Sequence, residues 1–203
     1  MSRRMRGSML AILITCFALT FSCTVNAGQW QAFNFSGNEQ YEYRVSWLDQ
    51  DTINEATYIL DIQEKAGSGA CEEKLYEVSY TTKGVISEDQ LGPETAFGLW
   101  SLYGISLNAL VLNPAYGFIF AQMDLKVGEK MSMYGAGIIS VPEKQTICGR
   151  EGYVCQFFQG PDANAQLVAE WVIDPELALP LSSRIINEGE TVSQVELVNY
   201  KEY

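Results

Sequence analysis

The sequence predicts a mainly β protein: a curved antiparallel sheet or incomplete β-barrel, with one or two apolar helices packed on its concave side. Three observations predict it. Several segments alternate apolar and polar residues with a period of two, the mark of strands buried on one face. Short connections rich in Gly, Asn and Asp separate them. Between the two groups of alternating segments lies a dense apolar stretch, residues 95–123, that holds no charged residue until Asp124.

The first element is a leader. Arg3, Arg4 and Arg6 precede an uncharged apolar run from Met9 to Phe21, and Val25-Asn26-Ala27 closes it. This is the three-part pattern of a secretory signal peptide cleaved after Ala27. It predicts a periplasmic or secreted protein in an oxidising compartment. A second reading ends the leader at Cys23, because Thr20-Phe21-Ser22-Cys23 loosely resembles a bacterial lipobox; Thr20 and Phe21 depart from that pattern. Residues 28–203 then form a single β-rich, half-barrel-like domain, long enough to bury a core.

Composition narrows the function. The leader carries three arginines and no acid, so its removal takes the net charge from −12 to −15. Such an acidic chain lacks the clustered Lys and Arg that nucleic acids and anionic membrane surfaces require. There is no histidine, which removes the commonest general base and metal ligand and every His-dependent triad. Hydrophobic residues at 47% with 12% aromatics argue against disorder. The acidic pairs Glu72-Glu73, Glu88-Asp89 and Glu188/Glu190 fall in predicted turns, where carboxylates are usually solvated. Asp49-Gln50-Asp51 is too short for a calcium loop. No phosphate-binding glycine motif is present. The sequence therefore predicts no catalytic residues, no metal and no cofactor.

After an irregular stretch over residues 28–40, three strands follow. Tyr41, Tyr43, Val45 and Trp47 share one face of the first; Ala56, Tyr58, Leu60 and Ile62 one face of the second; Tyr76, Val78 and Tyr80 one face of the third. Turn-like links at residues 49–54 and 66–69 make them a meander. A helix is predicted from Glu94 or Thr95 to Leu112, ended by Asn113-Pro114, with a second apolar piece from Ala115 to Met123. Phe97, Trp100 and Tyr103 recur at spacings of three on that helix and share a face. The first piece is short for a membrane span and contains Gly98, Ser101, Gly104, Ser106 and Asn108. Strands are then expected at residues 131–134, 145–148, 153–158 and 167–174. A final hairpin joins 184–187 to 191–199 across Glu188-Gly189-Glu190.

Three cysteines follow the leader: Cys71, Cys148 and Cys155. A two-residue turn at Glu151-Gly152 would set Cys148 opposite Cys155, at a spacing compatible with a disulfide. The pair is predicted to staple a hairpin. Cys71 is left over.

The C-terminal stretch Glu170-Trp171-Val172-Ile173-Asp174-Pro175, Leu179-Pro180-Leu181 and Ser183-Arg184-Ile185-Ile186, running on to Val195-Glu196-Leu197, resembles the LolA/LolB-like superfamily of exported carriers. The resemblance covers about one-sixth of the chain. It implies an incomplete antiparallel barrel around helices, with a hydrophobic cavity for lipid or lipoprotein acyl chains.

The functional expectation is an exported, non-enzymatic, monomeric protein that binds an apolar ligand, a lipid or acyl chain. The sheet face of Tyr43, Val45, Trp47, Tyr58, Leu60 and Ile62 would form the wall, and a helix carrying Trp100, Leu102 and Tyr103 the lid. The alternative is an envelope interaction protein without a small-molecule ligand, whose apolar segment docks onto an envelope protein partner. A hydrolase using carboxylates alone ranks behind both.

Overall fold

The computed structural model describes residues 29–49, 52–65, 75–85, 119–120, 122–133, 135–160 and 165–203. The leader, Cys23, Cys71 and the predicted helix with Trp100, Leu102 and Tyr103 lie outside these residues. Among the described residues only Ile119 and Phe120 are helical, and no helix is long and apolar enough to cross a membrane.

The molecule is mostly β. Its strands are β1 (Glu39–Asp49), β2 (Thr52–Lys65), β3 (Leu75–Gly84), β4 (Lys130–Met133), β5 (Gly137–Ser140), β6 (Lys144–Ile147), β7 (Arg150–Gln159), β8 (Gln166–Ile173), β9 (Ser182–Asn187) and β10 (Glu190–Glu202). They form a single antiparallel sheet in the order β3-β2-β1-β10-β9-β8-β7-β5-β4, with β6 also paired to β7. Among the described residues the sheet is open: β3 ends it on one side and β4 on the other.

The alternation of the first three segments becomes one shared face because the register keeps it in phase. Tyr41, Tyr43 and Val45 lie opposite Leu60, Tyr58 and Ala56. Leu60 and Ile62 lie opposite Tyr80 and Val78. On the other side of β1, Tyr43 and Val45 face Leu197 and Val195 of β10 after a register shift at Glu42/Tyr43. The β1–β2 link is tighter than the sequence suggests, since Asp49 already pairs with Thr52.

The sheet curls strongly. Strand β6 stands four places from β10, a distance of about 19 Å in a flat sheet, yet the two approach within 8 Å between Cα atoms. The Arg150 guanidinium in β7 lies 5.6 Å from the centre of the Tyr200 ring in β10. Two apolar clusters fill the curl. One joins Tyr41, Tyr43, Val45, Leu60 and Ile62 to Val154, Val172, Leu177, Leu179 and Leu181. The other joins Trp30, Phe120 and Met123 to Ile139, Cys155, Trp171 and Ile173.

The segment after β8 does more than turn. Asp174 accepts from the backbone amide of Glu176 at 3.0 Å and starts a turn that drives Leu177, Leu179 and Leu181 into the first cluster. The stretch before β1 is irregular, as expected, but not merely polar. Trp30 is buried and donates from its indole Nε1 to the Leu177 carbonyl at 2.7 Å. The Phe33 amide donates to the Ala178 carbonyl at 2.8 Å. Residues 29–35 and 177–181 are thus laced together.

The strands expected at residues 131–134, 145–148, 153–158, 167–174, 184–187 and 191–199 correspond to β4, β6, β7, β8, β9 and β10, with ends moved by a few residues. Strand β5 has no counterpart among the expected strands. It is four residues long, and it depends on Gly137: a β-carbon there would overlap the Phe158 carbonyl oxygen and the Phe157 ring.

The predicted Cys148–Cys155 disulfide is corrected by the hairpin's register. Ile147 pairs with Arg150 and Gln145 with Gly152, so the two-residue turn is Cys148-Gly149. Both carry positive φ, 52° and 75°, the type I′ geometry that suits a right-twisted hairpin. Cys148 therefore sits exposed at the tip, while Cys155 is buried opposite Trp171. Both thiols are free.

Candidate functional site

The wall residues predicted from sequence come together in space. Tyr43, Val45, Tyr58, Leu60 and Ile62 are all buried in the first cluster, and Trp47 packs half-buried at its margin. What the sequence does not show is how much of this wall is already covered. The Tyr43 hydroxyl donates to the Pro180 carbonyl at 2.9 Å, and Leu177, Leu179 and Leu181 pack in the same cluster as the wall residues, so this stretch covers part of the wall. Burial holds the Tyr43 hydroxyl protonated well above the ordinary tyrosine range.

Towards Tyr41 the wall acquires a polar boundary. Buried Glu39 accepts from the Tyr41 hydroxyl at 2.5 Å and the Ser36 hydroxyl at 2.8 Å, and from the Ser36 amide. Burial first, and then this carboxylate, raise the Tyr41 pKa well above normal.

Among the described residues the wall is open towards β3. Tyr76, Val78 and Tyr80 continue the face of Leu60 and Ile62 in register. The whole of β3 is exposed among the described residues, with Val78 at 42% and Tyr80 at 57%. Tyr58 and Tyr80 touch, ring centres 6.0 Å apart. A strip of aromatic and β-branched surface thus runs out of the core onto the end strand. No motif in the sequence separates the covered part of this wall from the open part; among the described residues the position of 177–181 does.

Two open grooves lie elsewhere. One, of 580 Å³, is lined by residues that include Leu167, Val168, Arg184, Ile186 and Asn187. Arg184 is held by an ion pair to Glu170 at 2.8 Å. The other, of 390 Å³, lies around Arg150, which binds Asp174 at 2.6 Å and Glu176 at 3.0 Å. Neither contains a wall residue. Among the described residues no group of three or more His, Cys, Asp or Glu side chains is arranged to hold a metal ion.

Among the described residues, the fold and this surface define an open, strongly curled antiparallel sheet with an apolar face that reaches its end strand. No protein-family model matches the sequence, and no curated protein matches it either. Among solved structures, the chain is similar to one in the complex of Pseudomonas aeruginosa MucA/MucB, with 12% identity, a TM-score of 0.35 and 82% of this chain covered. The match spans about half, 52%, of that chain's length.

Proposed function

We propose that this is an exported, non-enzymatic carrier of an apolar ligand, a lipid or acyl chain, held against the face shared by β2 and β3. One observation carries the reading: the apolar face that is buried in β1 and β2 continues in register as exposed Tyr76, Val78 and Tyr80. We put the ligand surface at Tyr76, Val78 and Tyr80, next to the wall predicted from sequence, with buried Tyr58 touching Tyr80 from the core. Tyr43, Val45, Leu60 and Ile62 support it from within the core. Each methylene taken from water there contributes about 0.8 kcal/mol, so a long chain binds usefully without a polar anchor. The leader predicted from sequence over residues 1–27 supports a periplasmic or secreted location.

The test is native mass spectrometry of the protein purified without detergent from its exported fraction, followed by solvent extraction. Lipid that co-purifies with the wild type and is lost from Val78→Asp supports the carrier. A clean polypeptide mass with an empty extract overturns it and favours the alternative, an envelope interaction protein, to which the free edge of β3 would be suited. The same spectrum shows whether the chain begins at Gly28 or at a lipidated Cys23.

A further inference from the structure

Strand β3 is ten residues long and forms the end of the sheet, so one row of its backbone donors and acceptors has no neighbouring strand among the described residues. Proteins usually protect such an edge with charge, proline or a bulge, because it templates pairing with another chain. Here the outward face of β3 carries Glu77 and Lys83, of opposite sign, and its pairing with β2 runs from Leu75 to Gly84 without a register shift. We propose that this edge is a homodimer interface, in which β3 of one molecule pairs antiparallel with β3 of a second copy about a two-fold axis at Tyr80.

The register follows from symmetry and charge. A two-fold axis perpendicular to the sheet leaves every side chain on its own face. The axis must therefore pass through a residue, and residues facing one another across it are separated by an even number of positions. Centred on Tyr80, the pairing sets Glu77 opposite Lys83 twice, Ser79 opposite Thr81 twice and Val78 opposite Thr82 twice. Centring on Ser79 or Thr81 instead sets Lys83 opposite Leu75 or Ser79 and leaves both opposite-charge pairs unmade. Glu77 already binds Lys65 on its own β2, so the dimer would extend this pair into an alternating Lys65–Glu77–Lys83 ladder. On the other face Tyr80 would meet Tyr80, and the two apolar faces would become one continuous surface. This departs from the monomer expected from the sequence.

The experiment is sedimentation equilibrium of the purified protein over a range of concentrations, with Lys83→Glu, Glu77→Lys and the double charge exchange. Wild type should sediment at twice the chain mass. Each single variant turns two opposite-charge pairs into two like-charge pairs and should raise the dissociation constant roughly tenfold. The double exchange should restore it, which also shows that the single variants failed by charge and not by misfolding. A monomer at every concentration, or a dimer indifferent to all three variants, overturns the proposal. Glu77 and Lys83 lie on the face opposite Tyr80, so lipid co-purification in the double variant is read separately from dimerisation.

Discussion

The Tyr43 hydroxyl reaches from β1 to the backbone carbonyl of Pro180, 137 residues later in the chain, at 2.9 Å. This bond ties the 177–181 stretch to the buried face of β1. It satisfies two buried polar groups at once, in a region where either alone would cost free energy.

Tyr43→Phe keeps the ring and strands the Pro180 carbonyl. We expect a loss of about 1–2 kcal/mol in unfolding free energy, measured by urea denaturation. Tyr43→Ala also empties the site and should cost about 4 kcal/mol. Equal stability of wild type and Tyr43→Phe would mean the bond does not hold the segment in solution.

Alkaline pH should unfold this protein early. Burial, and secondarily the nearby Glu170 carboxylate, push the Cys155 thiol from 9.0 up to about 12. Burial and the carboxylates of Glu39 and Glu202 push Tyr200 from 10.0 up to about 12. Tyr41 and Tyr58 are raised as well, chiefly by burial. These groups keep their protons in the folded state at pH values where the unfolded chain loses them. Their contribution is complete below about pH 9 and declines as pH rises towards 12. Urea midpoints measured from pH 8 to pH 11 should fall steadily above about pH 9, and Cys155→Ala should flatten the first part of the decline. A level profile would contradict the burial of these side chains.

Much of the sheet is legible in the sequence because one buried face forces alternation. Tyr41 to Trp47 and Ala56 to Ile62 announce β1 and β2, and Tyr76 to Tyr80 announces β3. The hairpin between β6 and β7 is misread from sequence for a definable reason. Two Xaa-Gly steps compete there, Cys148-Gly149 and Glu151-Gly152, and only one is a turn. Gly152 is needed for packing instead: a β-carbon there would press on Leu181, Val172 and the Ile173 backbone. A glycine demanded by a close approach and a glycine demanded by a turn look alike in sequence. The covering of the wall is illegible for a related reason. Leu179-Pro180-Leu181 can be recognised as a motif, but which surface its leucines occupy depends on partners more than a hundred residues away.

The turn at Cys148-Gly149 makes its own prediction. Cys148 adopts φ 52° without the side chain that best tolerates it, whereas Asn favours this conformation. Cys148→Asn should stabilise the protein by about 0.5 kcal/mol, and Gly149→Ala should destabilise it by about 1 kcal/mol. The thiols should also separate by reactivity. At mildly alkaline pH a maleimide should label Cys148 rapidly and leave Cys155 unlabelled until the protein is denatured, as peptide mass mapping of each cysteine would show. Equal labelling in the native protein would contradict the buried place of Cys155.

Glu170 provides the last prediction. It is buried in β8 and has two partners on adjacent strands, Arg184 of β9 at 2.8 Å and Gln156 of β7 at 2.9 Å. The register places all three in line, Gln156 opposite Glu170 and Glu170 opposite Arg184. Arg184→Met would leave the carboxylate buried with only the Gln156 amide. It should cost about 2 kcal/mol at neutral pH, less than for a fully buried pair because Arg184 is partly exposed. Removing the charge from both sides, Glu170→Gln with Arg184→Met, should recover part of that loss, since no uncompensated charge is then left inside. A double-mutant cycle by urea denaturation measures the coupling directly. If the double variant were as unstable as the sum of the single ones, the pair would be independent in solution and the line across β7, β8 and β9 would not act as a unit.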